Sequence, residues 1–460
     1  MPYVSGIYAV EKELFRSWSG SDKAKRDLLF RSMDGSKFGF GNSQVVSLID
    51  WDDDYYYLPR RYAYANLPAE ILDATENRVS GGSPITMDFN EELQASRPEL
   101  KQRQDVTVNE VLHKLQTSAE PFAGGLLQAA CGTGKTLMAM KIAQRLGVTT
   151  LVLVHKEFLM DQFIDTAKRF LFLEDEDIGI VQQKRVEYEG KKVVIAMIQS
   201  VLSKEYEQAF YDWAGLVILD ESHIIGAPLF NESLPKFSAK YTLGLTATPR
   251  RGDGLQPVFE ERLGPILSVM AGKSLLTADV YQMLLPCRVP EGLYKWKDKT
   301  FLGKLVTALT EDGQRNQYLA GQFIRALKAG RKILVLSDRR EHLEELRRLV
   351  EDEMKNITIG FYWGGLKKAV REQAATCDLI LSTYSMSCQG LDIPDLDTLF
   401  LATPKSDVEQ SVGRILRHHD EKKQPIVVDL VDDNKLCVRF AFKRLNQYRT
   451  LGFEIKQPIG

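Results

Sequence analysis

The stretch GGLLQAACGTGKTLMAMKIAQRL, residues 124–146, combines a short apolar run, a glycine-rich turn and an amphipathic helical pattern. Strand, turn and helix in this order are the context that a phosphate-binding loop requires. Gly132 and Gly134 allow backbone N–H groups to curl around phosphate oxygens at the positive end of the new helix. Lys135 would reach the β- and γ-phosphates of a nucleotide, and Thr136 would offer its hydroxyl to Mg2+.

The loop departs from the general formula G-x-x-x-x-G-K-[ST], because Ala129 occupies the place of the first glycine. The backbone of Ala130, Cys131 and Thr133 would complete the phosphate cradle. A tight strand-to-helix turn with a surface lysine is the alternative at this point, and a second motif has to decide.

Composition sets wide limits. The 460 residues suffice for about three domains, and 44% hydrophobic with 27% charged residues is the balance of a globular protein. No apolar run approaches the roughly 20 residues of a membrane span, and the first residues show no secretion signal. Five cysteines without a C-x-x-C pair argue against a disulfide framework and a zinc module. A cytoplasmic protein without a membrane partner is expected.

Short apolar runs alternate with helical patterns in two successive regions. The first set is GGLLQAA, TLVLVH, VVIAMI, LVILDE and YTLGLTAT, and the second is KILVLSD, ITIGFYW, CDLILST, TLFLATP and PIVVDL. Near-continuous apolar strands separated by helices predict parallel sheets that are covered on both faces. We therefore predict two tandem α/β domains at 96–275 and 276–460. A small α+β domain at 1–95 would precede them, and the proline- and glycine-rich residues 250–300 would include the linker.

The run LVILDESHII provides the second motif. It reads as a buried strand that ends at Asp220 and Glu221, where a carboxylate can meet the metal of a bound nucleotide. Asp220 would hold Mg2+, and Glu221 would take a proton from the attacking water. His223 is either a relay in the same site or a packed histidine.

Four motifs together resemble a known family. AACGTGKT, DESH, LGLTATPRR and QSVGRILR are similar to motifs I, II, III and VI of the superfamily 2 helicases and translocases, over about residues 97–445. The resemblance implies two RecA-like domains that use ATP and Mg2+. It makes Gln104 of RPELKQRQ a reader of the adenine, although Arg103 stands in place of the usual aromatic residue.

The resemblance also assigns residues to nucleic acid and to coupling. Gln199 and Ser200 would lie near a nucleic-acid phosphate, as would Thr383. Thr246 and Thr248 would couple hydrolysis to domain movement, or would simply cap a turn.

Further residues come from the second domain. Gln410, Arg414 and Arg417 would act on the phosphates, with the two arginines on one helix face at i, i+3 spacing. The run ILSTYSMSCQGLDIP resembles motif V of the same family, which implies that Asp392 lies at the ribose. Gln389 replaces the glutamate that is usual in this motif.

Three stretches allow both a functional and a plain structural interpretation. Arg339 is a phosphate contact or surface charge at a helix start. Trp296, among the lysines of LYKWKDKTFLGK, stacks on bases or belongs to a solvated loop. The acidic run 52–54 predicts a hairpin turn rather than a metal site, because adjacent strand residues point to opposite faces.

The spelling of motifs II and III, DESH and TATPRR, looks more like the DNA-directed branch that includes XPB-like and phage UvsW-like enzymes. The expected function is an ATP-dependent helicase or translocase on branched or forked DNA in replication, recombination and repair. An RNA helicase, the motor subunit of a restriction or nuclease complex, and a non-catalytic binding module are the alternatives.

Overall fold

The computed structural model describes residues 1–31, 45–130, 132–220, 232–247, 255–270, 277–296, 299–387, 393, 395–416 and 422–456. The chain forms two compact units, Met1–Ala271 and Gly272–Gly460. Among the described helices, none is long and apolar enough to cross a membrane.

The N-terminal part of the first unit has a sheet of its own. Its strands are β1 (Tyr3–Val4), β2 (Tyr8–Glu11), β3 (Leu29–Arg31), β4 (Val45–Ser47), β5 (Asp50–Trp51), β6 (Tyr55–Leu58) and β7 (Glu76–Asn77). Its helices are α1 (Lys12–Ser17), α2 (Ser21–Asp27), α3 (Arg60–Asn66) and α4 (Ala69–Asp73). Five strands pair in the order β5-β6-β2-β1-β7, and β3 pairs with β4. The acidic run is the predicted hairpin turn, because Asp52 Oδ1 accepts hydrogen bonds from the N–H groups of Asp54 and Tyr55.

This N-terminal sheet shares a hydrophobic core with the residues that follow. Tyr8 and Phe15 belong to the same buried cluster as Phe122 and Phe237. The buried Arg60 guanidinium lies 4.6 Å from the centre of the Phe122 ring and donates to the Ala239 carbonyl at 2.9 Å. The N-terminal sheet is therefore packed firmly against the larger sheet of the same unit.

The large sheet of the first unit is mainly parallel. Its strands are β8 (Ala123–Ala129), β9 (Thr150–Val154), β10 (Ile178–Gln182), β11 (Arg185–Val186), β12 (Val193–Met197), β13 (Leu216–Leu219), β14 (Tyr241–Thr246) and β15 (Ile266–Met270). Its helices are α5 (Glu91–Ala95), α6 (Pro98–Gln116), α7 (Lys135–Leu146), α8 (Glu157–Leu171), α9 (Ile198–Ser203), α10 (Gln208–Asp212) and α11 (Gln256–Leu263). The order is β11-β10-β12-β9-β13-β14-β8-β15, and only β11 among these is antiparallel to its neighbour.

The second unit repeats this design. Its strands are β16 (Asp279–Leu285), β17 (Lys295–Trp296), β18 (Lys299–Thr300), β19 (Ile333–Ser337), β20 (Ile359–Tyr362), β21 (Leu379–Thr383), β22 (Thr398–Leu401), β23 (Ile426–Asp432) and β24 (Glu454–Lys456). Its helices are α12 (Glu291–Tyr294), α13 (Leu302–Thr310), α14 (Gly313–Lys328), α15 (Arg340–Glu353), α16 (Lys368–Ala375), α17 (Tyr384–Ser387), α18 (Glu409–Val412) and α19 (Lys435–Thr450). Seven strands form a parallel sheet in the order β20-β21-β19-β22-β23-β16-β24.

Both predicted parallel sheets are confirmed. Their strands are apolar and buried on both faces, as a parallel sheet covered by helices requires. The interpretation of residues 250–300 as a connection was incomplete. This segment contains α11, the edge strand β15 and the central strand β16. Its prolines and glycines concealed these elements, since Pro257 lies in the first turn of α11 and Gly264 ends that helix.

Buried polar groups hold the second unit together. Asp432 accepts from Arg315 Nε at 2.7 Å, and Asp429 accepts from Arg444 Nη2 at 2.6 Å. His342 lies between Ser337 Oγ and Asn316 Oδ1, with its ring nitrogens 3.0 Å from each oxygen. Burial, with a smaller effect of the charge on Arg315, lowers the pKa of His342 to about 3.

His342 should make the stability of this unit depend on pH. The pKa of this histidine is about 6.5 in an unfolded chain and about 3 in the folded protein. Between these two pH values His342 is protonated in the unfolded state but neutral in the folded state, so the folded state becomes less stable as the pH falls. Between pH 8 and pH 5 the free energy of unfolding should therefore fall by about 2 kcal/mol more in the unchanged protein than in His342→Gln. Hydrogen exchange of the β19 amides measures this difference. Equal losses in the two proteins would contradict it.

Candidate nucleotide-binding site

Strand order brings the predicted functional segments of the first unit to one edge. Strands β12, β9, β13, β14 and β8 are neighbours and parallel, so their carboxyl ends point the same way. Gln199 follows β12, Asp220 follows β13, Thr246 ends β14, and the glycine-rich loop follows β8. Open parallel sheets bind their ligands at this edge.

The glycine-rich loop has the backbone form that a phosphate cradle needs. Gly132 and Gly134 have φ angles of 78° and 83°, in the left-handed region that favours glycine. Helix α7 begins directly after Gly134, which has no side chain that could cap the first N–H groups. Lys135 Nζ donates to the Ala129 carbonyl at 3.2 Å, which keeps the ammonium beside the loop. The start of α7 can therefore receive an anion.

Gln104 lies against this loop, as a predicted site residue should. Its side chain is buried, and Nε2 donates to the carbonyl of Thr133 at 2.8 Å. A Cβ atom at Gly134 would lie 2.5 Å from the same Nε2. Gly134 is thus required twice, by its φ angle and by the close approach of Gln104.

Thr136 and Asp220 supply oxygen atoms of the type that Mg2+ prefers. Both residues are buried, Thr136 in the first turn of α7 and Asp220 after β13. Gln162 Nε2 donates to Thr136 Oγ1 at 3.1 Å, and the Asp220 N–H donates to the Leu153 carbonyl at 3.2 Å. A hydroxyl and a carboxylate suit a hard cation that shares its coordination with phosphates and water.

The predicted nucleic-acid contacts also lie at strand ends. Gln199 is exposed and donates from Nε2 to the His155 carbonyl at 3.1 Å, whereas Ser200 is buried and accepts from the Gln183 N–H at 2.9 Å. In the second unit Arg339 follows β19 and Thr383 ends the adjacent strand β21.

Arg339 and Arg414 have local environments that differ from those predicted. The sequence predicts a phosphate contact or surface charge for Arg339, and a position on a helix face for Arg414. Arg339 donates to the Gly303 carbonyl at 3.2 Å and to Thr307 Oγ1 at 3.3 Å, so it joins α13 to the start of α15. Arg414 is half-buried in the turn after α18 rather than within a helix, because that helix ends at Val412.

Some predicted site residues lie outside the part of the chain that the structure describes. These are Cys131, Glu221, His223, Thr248, Asp392 and Arg417. The backbone of Trp296 and Gln410 is described, but their side chains are not.

Several residues beside the loop were not found by sequence reasoning. Lys141 on α7 is only 4% exposed, and its Nζ donates to Glu91, Gln94 and Asp105, at 2.8 Å in each case. Burial raises the pKa of Asp105, but the hydrogen bonds and the charges of Lys101 and Lys141 together outweigh it, so the pKa falls below its usual value. The available signal was a single lysine inside the apolar run LMAMKIA.

Comparisons with known proteins agree with this geometry. Residues 97–251 match the family model described as "Type III restriction enzyme, res subunit". A protein of Acanthamoeba polyphaga mimivirus, provisionally named an ATP-dependent RNA helicase, is 34% identical over 355 residues, which are 75% of this chain and 68% of the relative. A protein of Escherichia phage T5, provisionally named a helicase, is 24% identical over 334 residues, 70% of this chain and 71% of the relative.

Among solved structures, Mss116p bound to ssRNA and AMP-PNP matches with a TM-score of 0.53 and 13% identity, over 76% of this chain and 74% of that one. This likeness shows the fold alone. T4 UvsW matches over 97% of this chain and 95% of its own, with 16% identity and a TM-score of 0.37, which is too low to add to the argument.

The chain therefore belongs to the superfamily 2 helicases, which are ATP-dependent enzymes with two RecA-like domains. The resemblance drawn from the four motifs is confirmed at this level.

Gly134→Ala should weaken nucleotide binding. The added Cβ would displace Gln104 and strain the left-handed backbone, which together cost of the order of 1–3 kcal/mol. We therefore expect the Kd for a fluorescent ATP analogue to rise about 5- to 150-fold. Gly190→Ala is the matched control, since Gly190 has a φ of 71° but open space where its Cβ would lie. Equal Kd values for the two variants would contradict the proposed contact.

Proposed function

We propose that this superfamily 2 helicase uses ATP to unwind or branch-migrate branched DNA, such as forks, four-way junctions and R-loops. The observation that carries the proposal is the order β12-β9-β13-β14-β8, which aligns the predicted nucleic-acid residues and the phosphate loop at one sheet edge. The preference for DNA rests on the spelling DESH and TATPRR, which resembles the DNA-directed branch.

In the proposed reaction Lys135 and the backbone from Ala130 to Gly134 hold the phosphates of ATP. Thr136 and Asp220 hold Mg2+, which neutralises charge on the transferred phosphate when it is bound. Glu221 accepts a proton from the attacking water. Gln410, Arg414 and Arg417 add donors that stabilise negative charge in the transition state.

Coupling would follow from the position of Thr246. Its strand β14 lies between β8, which leads to the phosphate loop, and β13, which leads to Asp220. A change in the phosphates that moves either neighbour also moves β14. Gln199, with Thr383 and Arg339 of the second unit, would contact the nucleic-acid backbone, which carries most of the affinity of such proteins.

Two observations favour other substrates. The 34% identical mimivirus relative is named an RNA helicase, and the matching family model describes a restriction-enzyme subunit. An RNA helicase is therefore the second candidate, and the motor of a nuclease complex the third.

Substrate choice can be measured directly. We expect a synthetic four-way junction and a forked duplex to stimulate ATP hydrolysis, and to be unwound, at least tenfold more efficiently than linear duplex DNA or duplex RNA of equal length. The same assay with overhangs of either polarity gives the direction of movement. Stimulation by RNA alone would refute the DNA assignment, and cutting of DNA by the isolated protein would favour a nuclease.

Glu221→Gln tests the chemistry separately. The amide cannot accept the proton, so turnover should fall by a factor on the order of 10² to 10⁴ while ATP still binds. Glu176→Gln, an exposed acid-to-amide change elsewhere in the same unit, is the control and should behave as the unchanged protein. Full activity of Glu221→Gln would remove Glu221 from the mechanism.

A further inference from the structure

A chain of buried hydrogen bonds runs from Lys141 to the phosphate loop. Lys141 Nζ donates to Gln94 Oε1 at 2.8 Å, Gln94 Nε2 donates to Gln104 Oε1 at 2.9 Å, and Gln104 Nε2 donates to the Thr133 carbonyl at 2.8 Å. All four residues are at most 5% exposed. The chain joins α5, α6 and α7 directly behind the loop.

Both ends of this chain fix its direction. A lysine ammonium can only donate and a backbone carbonyl can only accept, so each glutamine amide has one acceptable orientation between them. Rotation of Gln94 by 180° would set its NH2 against the ammonium, and rotation of Gln104 would set its carbonyl against that of Thr133. A buried group that loses its partner in this way is costly.

Two carboxylates pair with Lys141 in its buried position. Glu91 and Asp105 accept from Lys141 through one oxygen each, and Lys101 pairs with the second oxygen of both. Burial raises the pKa of Glu91, but the hydrogen bonds and the charges of Lys101 and Lys141 together outweigh it and bring the pKa below its usual value. Two carboxylates thus face two ammonium groups. Only Lys141 also reaches Gln94.

The fixed orientation matters for a purine base. Beyond the bonds described, Gln104 has a second hydrogen on Nε2 and a second lone pair on Oε1. Adenine presents an acceptor at N7 beside a donor at N6, which complements this pair, whereas guanine presents acceptors at both N7 and O6. A Gln104 amide held in this orientation would form hydrogen bonds with adenine and would repel the O6 atom of guanine.

We propose that Lys141 and Gln94 are positioning residues that lock the amide of Gln104 and thereby set the preference of the enzyme for adenine over guanine nucleotides. This inference rests on the assignment of Gln104 to the base. It assigns a role to residues on α5 and α7 that no motif of the sequence had marked.

The test compares ATP with GTP without any nucleic acid. Kd values for fluorescent ATP and GTP analogues, and kcat/KM for ATP and GTP, are measured for Lys141→Met and Gln94→Glu in the full chain. Lys101→Met is the matched control, because it removes an ammonium from the same carboxylates but not from Gln94. Far-UV circular dichroism and thermal melting confirm that each variant is folded.

We expect the ATP-over-GTP ratio to fall at least tenfold in Gln94→Glu, whose carboxylate cannot donate to Gln104, and severalfold in Lys141→Met. The control should keep the ratio of the unchanged protein. A parallel loss of affinity for both nucleotides, with an unchanged ratio, would overturn the inference, since that is the result of a merely structural role.

Gln104→Ala separates the two levels of the argument. If it lowers the ratio while Gln94→Glu and Lys141→Met do not, Gln104 reads the base but the lock is wrong. If it leaves the ratio unchanged, the assignment of Gln104 to the base fails and the inference fails with it. Should a variant fail to fold, the isosteric Gln94→Glu change decides between these outcomes.

Discussion

Parallel strand pairing is the constraint on which the rest of the first unit depends. It sends the carboxyl ends of β12, β9, β13, β14 and β8 to one edge, where each is followed by a polar or glycine-rich segment. Residues more than 100 positions apart in sequence, such as Gln128 and Thr246, become neighbours in this way. A parallel ladder is stable only when both faces are covered, so the helices that bury the sheet also fix the site.

Behind that edge, the site is held by polar groups that are almost entirely buried. The amide of Gln104 is close enough to Gly134 to exclude even a methyl group, and the same amide is oriented from Lys141 through Gln94. Fully partnered polar networks of this kind make a structure rigid. The phosphate loop is thus supported from two sides. Gln104 of α6 donates to the Thr133 carbonyl, and the Ala130 N–H donates to the Met270 carbonyl of β15 at 3.2 Å.

Much of this could be predicted from the sequence. The continuous apolar strands allowed both parallel sheets to be predicted, and the glycines around Lys135 allowed the loop to be predicted. Both signals are local, because periodicity and turn chemistry depend only on residues that are close in sequence. Strands β15 and β16 were missed, since a strand beside prolines and glycines resembles a linker. The role of Lys141 was also out of reach, because a lysine within an apolar helix has meaning only when its partners on two other helices are known.

The core that the N-terminal sheet shares with later residues has a consequence for biosynthesis. Tyr8 and Phe15 pack in one cluster with Val258, Phe259 and Leu263 of α11, so the first sheet leaves the ribosome well before these partners are synthesised. About 180 residues separate the last strand of the first sheet from α11. At about 5–20 residues per second, their synthesis takes on the order of 10–40 s. During that interval the nascent chain carries an uncovered apolar surface, which is the kind of surface that chaperones bind.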